Sequence, residues 1–240
     1  MSTFMSAFAG LVERLAELLQ PLFHASAAAA AIVLFTALVR LLVHPLSRAS
    51  ARGQQARTKL QPRIAELRRK YAKNPERLNK AILELHTEEK VSPLSGCLPA
   101  LLQMPAFFLL YHLFSSTTIG GESNDLLSHA LFAAPLGDRW ADALGHGGPF
   151  GAAGLVYLGL FALVTAVATF TYRRTKRMTA ANPVPAGGGE QLPGLGAVAK
   201  VTPLFSYFTL VTVAVMPLAA ALYVVTSTTW SAVERALLFR

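Results

Sequence analysis

The fold of this chain is decided by residues 39–108, where two apolar runs enclose a basic segment. The first run ends in Val39-Arg40-Leu41-Leu42-Val43-His44-Pro45-Leu46, and the second contains Leu102-Gln103-Met104-Pro105. Between them, residues 47–92 hold twelve lysines and arginines against five glutamates. Because lysine and arginine concentrate in the cytoplasmic loops of membrane proteins, this order predicts a span, a cytoplasmic hairpin and a second span.

The composition of the whole chain also favours a membrane protein. Of the 240 residues, 53% are hydrophobic and 15% are charged. A soluble domain carries about 25% charged residues. The charged residues here are gathered between apolar runs, and about 20 apolar residues suffice for a helix to cross a bilayer. We therefore predict an all-α polytopic membrane protein with five transmembrane helices.

The net charge of +9 has two interpretations. A strongly basic chain is typical of nucleic-acid binding, but it is also expected of a membrane protein whose cytoplasmic loops are positive. Lysine and arginine concentrate in two segments, residues 47–92 and Arg173–Arg177, which favours the second interpretation. We expect contact with the lipid bilayer and no recognition of a specific nucleic-acid sequence.

The apolar and basic runs divide the chain into nine segments, with the N-terminus outside and the C-terminus in the cytoplasm. They are an extracytoplasmic amphipathic helix (1–24), a first span (25–47), a cytoplasmic helical hairpin (48–95), a second span (96–118), an extracytoplasmic loop (119–149), a third span (150–173), a cytoplasmic linker (174–200), a fourth span (201–217) and a fifth span with a short C-terminus (218–240).

Helical spacing predicts the structure of the two amphipathic segments. In residues 1–24 the apolar side chains fall on one face, with Glu13 and Glu17 between them, which is typical of a helix lying on the membrane surface. In the hairpin, two apolar stripes flank Asn74-Pro75, a dipeptide that favours a turn and a helix start. We expect Pro45 to bend or end the first span, and Pro62 to kink the first hairpin helix or to mark a late start of that helix.

Arg40 is the sharpest polar feature inside a predicted span. A charge at the bilayer centre costs about 2.5–3.5 kcal/mol even on a lenient insertion scale. The side chain could avoid this cost by snorkelling to the inner interface, because Arg40 lies only six residues before Leu46. Alternatively, Arg40 faces a wet cavity among the spans, where it would attract carboxylates.

Other polar residues within the spans are candidates to line such a cavity. They are Gln103, Ser115, Thr202, Thr226 and Thr228. Each could instead form a hydrogen bond between neighbouring helices, which contributes about 0.6 kcal/mol on average. Taken together, they make a polar interior plausible.

The sequence gives little support to enzyme chemistry. It contains neither the H-E-x-x-H pattern of zinc proteases nor the G-x-S-x-G pattern of hydrolases. His44 and His112 are interpreted as interfacial or packed, and the single cysteine, Cys97, excludes an internal disulfide. We predict no catalytic residue, no metal site and no cofactor.

An ordered set of short motifs resembles the YidC/Oxa family of membrane protein insertases. The resemblance covers residues 26–238, with the final motif weaker than the others. The motifs are Val39-Arg40 with Pro45-Leu46, Leu60-Gln61-Pro62-Arg63-Ile64, Glu89-Lys90-Val91-Ser92-Pro93-Leu94, Gly96-Cys97-Leu98-Pro99, Gln103-Met104-Pro105-Ala106-Phe107, and Leu222-Tyr223 with Ser227.

The resemblance implies five core helices around a hydrophilic groove that is open to the cytoplasm and to lipid. In such proteins a short polar segment of a nascent membrane protein enters the groove, and its apolar helix is released into lipid. The groove residues implied here are Arg40, Gln103, Thr202, Tyr223, Thr226 and Thr228. The implied partners are nascent membrane proteins, with the ribosome, signal recognition components and the Sec translocon as further candidates. The implied location is the bacterial inner membrane.

Two other functions remain open on the residues alone. A small transporter or channel would use the same polar interior for a solute or an ion. An assembly scaffold would hold partner helices without moving any polar segment, and would not depend on the charge of Arg40.

Overall fold

Helices make up most of the part of the chain that the structure describes. A computed structural model describes residues 2–89, 91, 98–119, 121–181 and 202–238. The helices are α1 (Ser2–Phe23), α2 (Ala27–Lys70), α3 (Pro75–Glu88), α4 (Leu98–Ser115), α5 (Trp140–Gly145), α6 (Ala152–Ala181), α7 (Phe208–Val215) and α8 (Leu218–Leu238). Short 3-10 segments cover His24–Ser26, Asp125–Ser128 and Thr202–Tyr207. Two-residue antiparallel strands pair β1 (Thr118–Ile119) with β2 (Glu122–Ser123), and β3 (Ala130–Leu131) with β4 (Ala134–Pro135).

Helix α2 is a single element of 44 residues. It includes Pro45 and Pro62, so neither proline ends the helix. The boundary expected near residue 47 also lies within the helix, which continues through it. Each proline removes one backbone hydrogen bond at a cost of about 3 kcal/mol. Contacts along α2 with α1, α8 and α3 offset that cost, so the residues of the predicted first span and of the first predicted hairpin helix form one continuous helix.

The far half of α2 packs against α3 through a small apolar cluster. Leu60, Ile64 and Leu85 are buried there, with Leu67 and Ile82 partly buried beside them. Helix α3 begins with Pro75 in its first turn, and the Asn74 side chain caps it by accepting a hydrogen bond from the Arg77 amide, 3.0 Å away. An ion pair between Arg63 and Glu89 lies on the exposed side of this hairpin.

Helix α1 packs back against α2 after a sharp turn. His24 has a positive φ of 46°, which reverses the chain between the two helices. Val12 is fully buried, and the rings of Phe8 and Phe35 meet edge to face with centroids 6.0 Å apart. Leu18 and Leu22 on other faces of α1 stay exposed. The helix therefore has one apolar face for the protein and further apolar residues free for lipid, while its place at the membrane surface stays a prediction.

Helix α8 forms the centre of the core. Every residue from 218 to 225 is buried, and the helix contacts α2, α4, α6 and α7. Three of those residues, Ala219 to Ala221, are fully buried alanines, whose small side chains let neighbouring backbones approach closely. Tyr223 packs at a tilt against Phe114 of α4, with ring centroids 6.0 Å apart.

Residues 119–149 close one end of the core, which we call the loop end. The Leu218 and Ala219 amides at the start of α8 donate to the carbonyl oxygens of Asp138 and Leu136, at 2.8 and 2.9 Å. The Tyr157 hydroxyl of α6 donates to the same Asp138 carbonyl at 2.6 Å. These bonds satisfy backbone donors that a helix start leaves unpaired, and they fix the loop onto α6 and α8.

Two helical stretches of the described chain are long and apolar enough to cross a membrane: Ala7–Lys70 and Ala152–Arg177. The predicted fourth span does not form one helix of that length. Its residues form the 3-10 segment and then α7, which has eight residues, or about 12 Å. Pro217 explains where α7 stops, because the residue before a proline favours extended backbone and Met216 has ψ 156°.

Helix α6 continues past the predicted end of the third span at residue 173. The basic run Arg173–Arg177 lies within the helix, which ends at Ala181. Lysine and arginine are good helix formers, so this charge can stop a span without ending the helix. The remainder of the predicted linker, residues 182–200, lies outside the described residues. The end of the core at which α6 and α2 carry these basic residues is called the hairpin end below.

Candidate functional site

The guanidinium group of Arg40 contacts α8 in the interior of the helix bundle. Arg40 lies about 20 Å along α2 from its first residue, at the standard rise of 1.5 Å per residue. Its Nη2 donates a hydrogen bond to the Ser227 hydroxyl, and Ser227 is itself buried. Arg40 is half-buried. The arrangement directs the charge toward the neighbouring helix.

One turn further along α2, a second polar contact joins the same two helices. His44 Nδ1 contacts Glu234 Oε1. Glu234 is 9% exposed, so its carboxylate lies largely out of solvent. An isolated buried carboxylate is costly, and its favourable interaction with the positive charge of Arg40 reduces that cost.

A third contact shows that α2 and α8 run in the same direction over this distance. Gln55 Nε2 donates to the Leu238 carbonyl oxygen, at 3.0 Å, beyond the Arg40 and His44 contacts. Arg40, His44 and Gln55 thus meet Ser227, Glu234 and Leu238 in the same order along both helices. Polar groups follow this helix pair from its middle to the hairpin end.

A cavity of about 380 Å³ opens beside this helix pair, between α2, α6, α8 and the segment that contains α7. Its polar lining consists of Gln54, Thr171, Arg174, Thr175, Ser206, Thr209, Thr228, Ser231 and Arg235. Among the described residues that line it, two are arginines and none is a carboxylate. The cavity therefore presents hydroxyl groups and positive charge at the hairpin end.

The predicted groove residues have different positions in the structure. Thr228 lines the cavity, and its hydroxyl also donates within α8 to the carbonyl oxygens of Val224 and Val225, at 2.8 and 3.0 Å. Tyr223 is 4% exposed and belongs to the core, while Thr226 is half-buried.

Arg40 is not among the described residues that line the cavity, but its hydrogen-bond partner Ser227 precedes Thr228 in the chain. The side chains of Gln103 and Thr202, which complete the predicted set, lie outside the described residues.

Several polar residues of this site were not among the groove residues predicted from the sequence, although Ser227 belongs to the last of the family motifs. Ser227, Ser231 and Glu234 recur on α8 at spacings of four and three residues, which places them on one side of the helix. On α2, Arg40 and His44 are separated by four residues and share a face in the same way. This repeated spacing was the signal in the sequence that could have identified these residues. It does not indicate, however, that the polar face of α8 packs against that of α2.

Two further buried polar atoms lie in the half of α8 that is nearer the hairpin end. Thr229 Oγ1 and Trp230 Nε1 are buried and have no hydrogen-bond partner among the described residues. Buried donors and acceptors are normally paired with protein or water, so these two positions are suited to an ordered water molecule. No group of three potential metal ligands occurs in the part of the chain that the structure describes.

The two ends of the bundle differ in polarity. At the loop end, Leu136, Leu218 and Ala219 are fully buried and the start of α8 is capped by loop carbonyls. At the hairpin end, the cavity is lined by arginine and hydroxyl side chains. A polar chain segment could therefore be accommodated from the hairpin end, while close packing obstructs its passage through the loop end.

Comparison with known proteins identifies the family. The sequence model of the family described as 60Kd inner membrane protein matches residues 19–240. A membrane protein insertase YidC of Clostridium perfringens is 46% identical over 87 residues, which are 36% of this chain and 37% of that protein. The YidC of Polynucleobacter asymbioticus is 40% identical over 101 residues, 42% of this chain and 18% of its own length.

The structural comparison extends over most of the chain. The crystal structure of an active YidC insertase with its first transmembrane domain resolved superposes with a TM-score of 0.54 and 25% identity, over 96% of this chain and 45% of that chain. The matched regions thus cover less than half the length of each of these relatives. Because the family model and the superposition both extend over nearly all of its residues, the chain belongs to the YidC/Oxa family of membrane protein insertases.

Proposed function

We propose that this protein inserts nascent membrane proteins into the inner membrane by receiving a short polar segment in a groove at the hairpin end. The observation that carries the proposal is the position of Arg40, whose guanidinium bonds to Ser227 between two helices beside a polar cavity. The names of the relatives, membrane protein insertase YidC, agree with this activity.

The physical task of such a groove is to lower the cost of taking polar groups out of water. A charged side chain at the centre of a bilayer costs at least about 2.5 kcal/mol, and several such groups in one segment would prevent entry. Arginine and hydroxyl side chains in the cavity would replace part of the lost hydration. The protein would carry out no covalent chemistry, since binding and release would be sufficient.

The segment that contains α7 has an exposed apolar surface beside the cavity. This surface offers a route by which the apolar part of the substrate would be released into lipid. Leu204, Phe205, Phe208 and Val211 are exposed there, next to cavity residues Ser206 and Thr209. An apolar substrate helix could contact these side chains while its polar end occupied the cavity. It would then move laterally into lipid, because the lipid chains are as apolar as the side chains it leaves.

The hairpin of α2 and α3 would receive the substrate on the cytoplasmic side. It extends from the same end of the bundle as the cavity, and basic residues cover its surface. The positive-inside rule puts this end in the cytoplasm, with the start of the chain outside. The ribosome, signal recognition components and the Sec translocon are the candidate partners of this hairpin.

The test compares two single-span substrates that differ only in the N-terminal tail, one with aspartates and one with asparagines at the same positions. Insertion is measured in cells depleted of their own insertase and complemented with the protein. Arg40→Gln is expected to reduce insertion of the acidic substrate at least several-fold and to affect the neutral one less. The matched control is Arg14→Gln, which removes the same charge from an exposed position on α1, away from the cavity and the hairpin.

Each alternative outcome has a distinct meaning. If Arg40→Gln and the control insert both substrates equally well, the groove mechanism is wrong for this chain. A transporter or channel would instead give solute or ion flux in proteoliposomes without any nascent chain. A scaffold would retain its function in Arg40→Gln, and a stalled nascent chain would not crosslink to probes at residues 228 and 231 in the cavity.

A further inference from the structure

A buried acid lies close to the arginine on which the proposed groove depends. Glu234 is largely buried, on the α8 face that meets α2, and its carboxylate contacts His44 Nδ1. It lies about 24 Å along α8 from Leu218, at the standard helical rise, and so within the predicted fifth span. An ionisable residue inside a membrane bundle is rare and costly, so its position requires an explanation.

The charges around Glu234 indicate its role. The positive charge of Arg40 interacts favourably with the Tyr223 hydroxyl and with the Glu234 carboxylate, and unfavourably with Arg235. Arg40 donates its hydrogen bond to the neutral Ser227 hydroxyl, while the carboxylate is held on His44. Glu234 therefore reduces the positive potential at Arg40 without forming the direct ion pair that would occupy the guanidinium.

We infer that Glu234 is a built-in counter-ion that sets how strongly the groove prefers acidic substrate segments. The inference rests on the proposed function, since it concerns the selectivity of the same groove. A substrate carboxylate that approaches Arg40 is attracted by the guanidinium and repelled by Glu234. In a site of low dielectric constant, a single nearby charge changes such an attraction substantially.

This arrangement has a functional advantage for an insertase. A fully uncompensated arginine would hold an acidic tail strongly and slow its release, whereas an arginine in a direct ion pair would attract the tail weakly. A carboxylate held nearby on a histidine gives an intermediate attraction. Glu234 acts through Arg40 and is a positioning and selectivity residue, with no required contact to the substrate.

The experiment measures one ratio, the insertion of the acidic-tail substrate divided by that of the matched asparagine-tail substrate. The protein variants are Glu234→Gln, Arg40→Gln and the double variant, with Glu17→Gln, an exposed acid on α1, as the control for loss of one negative charge. Glutamine keeps the size and shape of the glutamate side chain and removes its negative charge. The ratio is insensitive to a general loss of folded protein, because both substrates require the same folded insertase.

Glu234→Gln is expected to raise the ratio roughly threefold or more, because Arg40 loses the charge that offsets it. Glu17→Gln is expected to leave the ratio unchanged, and the double variant is expected to match Arg40→Gln alone, since Glu234 acts through Arg40. If Glu234→Gln leaves the ratio unchanged while Arg40→Gln lowers it, the counter-ion role is wrong and the proposed function stands. If neither changes it, the proposed function itself fails. A Glu234→Gln protein that does not accumulate assigns Glu234 a structural role and also overturns the inference.

Discussion

The guanidinium of Arg40 on α2 donates a hydrogen bond to the hydroxyl of Ser227 on α8, and the two residues are 187 positions apart in the chain. This contact joins the helix that continues into the hairpin to the helix at the centre of the core. It also fixes the charge at a defined depth in the bundle. Two consequences are testable: the bond should stabilise the protein, and it should hold Arg40 in the orientation that the proposed function uses.

Replacing Ser227 with alanine should therefore weaken both properties. A hydrogen bond to a charged group contributes about 1.5–3 kcal/mol, and the guanidinium would lose its bond to α8. We expect a lower midpoint of thermal unfolding in detergent, measured by the intrinsic fluorescence of the protein. We also expect a loss of acidic-substrate insertion that is smaller than the loss in Arg40→Gln, because the charge itself remains.

The matched control is Ser231→Ala, one turn along the same helix. The Ser231 hydroxyl donates only within α8 in the described contacts, to the Ser227 carbonyl oxygen at 2.9 Å. Its loss should change the thermal midpoint little, because that carbonyl also takes part in the helix. Equal effects of the two substitutions would show that the Arg40 contact has no special contribution.

The polarity difference between the two ends of the bundle predicts a pattern of water access. In a Cys97→Ser background, single cysteines are introduced at Ser231, which lines the cavity, and at Ala220, which is fully buried near the loop end. A membrane-impermeant maleimide applied from the cytoplasmic side should label position 231 and leave position 220 unlabelled. The thiolate is the reactive form and requires water, so labelling reports hydration of the cavity.

Two outcomes would contradict the proposal of a water-filled groove at the hairpin end. Position 231 would remain unlabelled if the cavity were filled by side chains in the membrane. Labelling of 231 from the outside only would reverse the proposed orientation. Denaturing the protein before labelling should expose both cysteines and provides the reference for complete reaction.

The sequence predicts local features of this fold better than the contacts between distant elements. The Asn74-Pro75 signal is local, since a side-chain cap and a fixed proline φ act within one turn, and α3 begins at Pro75. The prolines at 45 and 62 carry the same kind of local signal, yet α2 continues through both. There the packing of a long helix against its neighbours outweighs the local penalty, and the sequence alone does not reveal that packing.

The same limit applies to the candidate site. Arg40 stands out in the sequence because a charge within an apolar run is costly wherever it points. Glu234 does not stand out, because it lies close to the end of an apolar run and next to Arg235. Only the placement of α2 beside α8 brings Glu234 to His44 across 190 positions of sequence. The contact partners of a charged residue are thus set by tertiary structure, while the unusual residue itself is visible in the sequence.

The hairpin should depend on its small apolar cluster more than on its ion pair. Leu85 is 5% exposed between Leu60 and Ile64, and removing a buried leucine side chain costs about 2–5 kcal/mol. Leu85→Ala should therefore separate α3 from α2 and increase protease cleavage near residues 71–74 in membranes. Glu89→Gln, which removes the exposed ion pair with Arg63, should change cleavage little, because exposed pairs contribute about 0–1 kcal/mol. Greater cleavage in Glu89→Gln than in Leu85→Ala would reverse this ranking.

The start of α6 should tolerate no side chain at Gly154. A methyl group there would collide with the carbonyl oxygens of Gly148 and Pro149, the latter at 2.5 Å, and backbone atoms cannot turn aside as a flexible side chain can. Overpacking of this kind costs about 1–3 kcal/mol, so Gly154→Ala should lower the thermal midpoint in detergent. Gly159→Ala on the same helix is the control, because a methyl group there meets no atom within 4 Å and alanine favours a helix over glycine. If both variants melt at the temperature of the unchanged protein, the loop end is looser than its close packing indicates, and obstruction of a polar segment at that end would lose its physical basis.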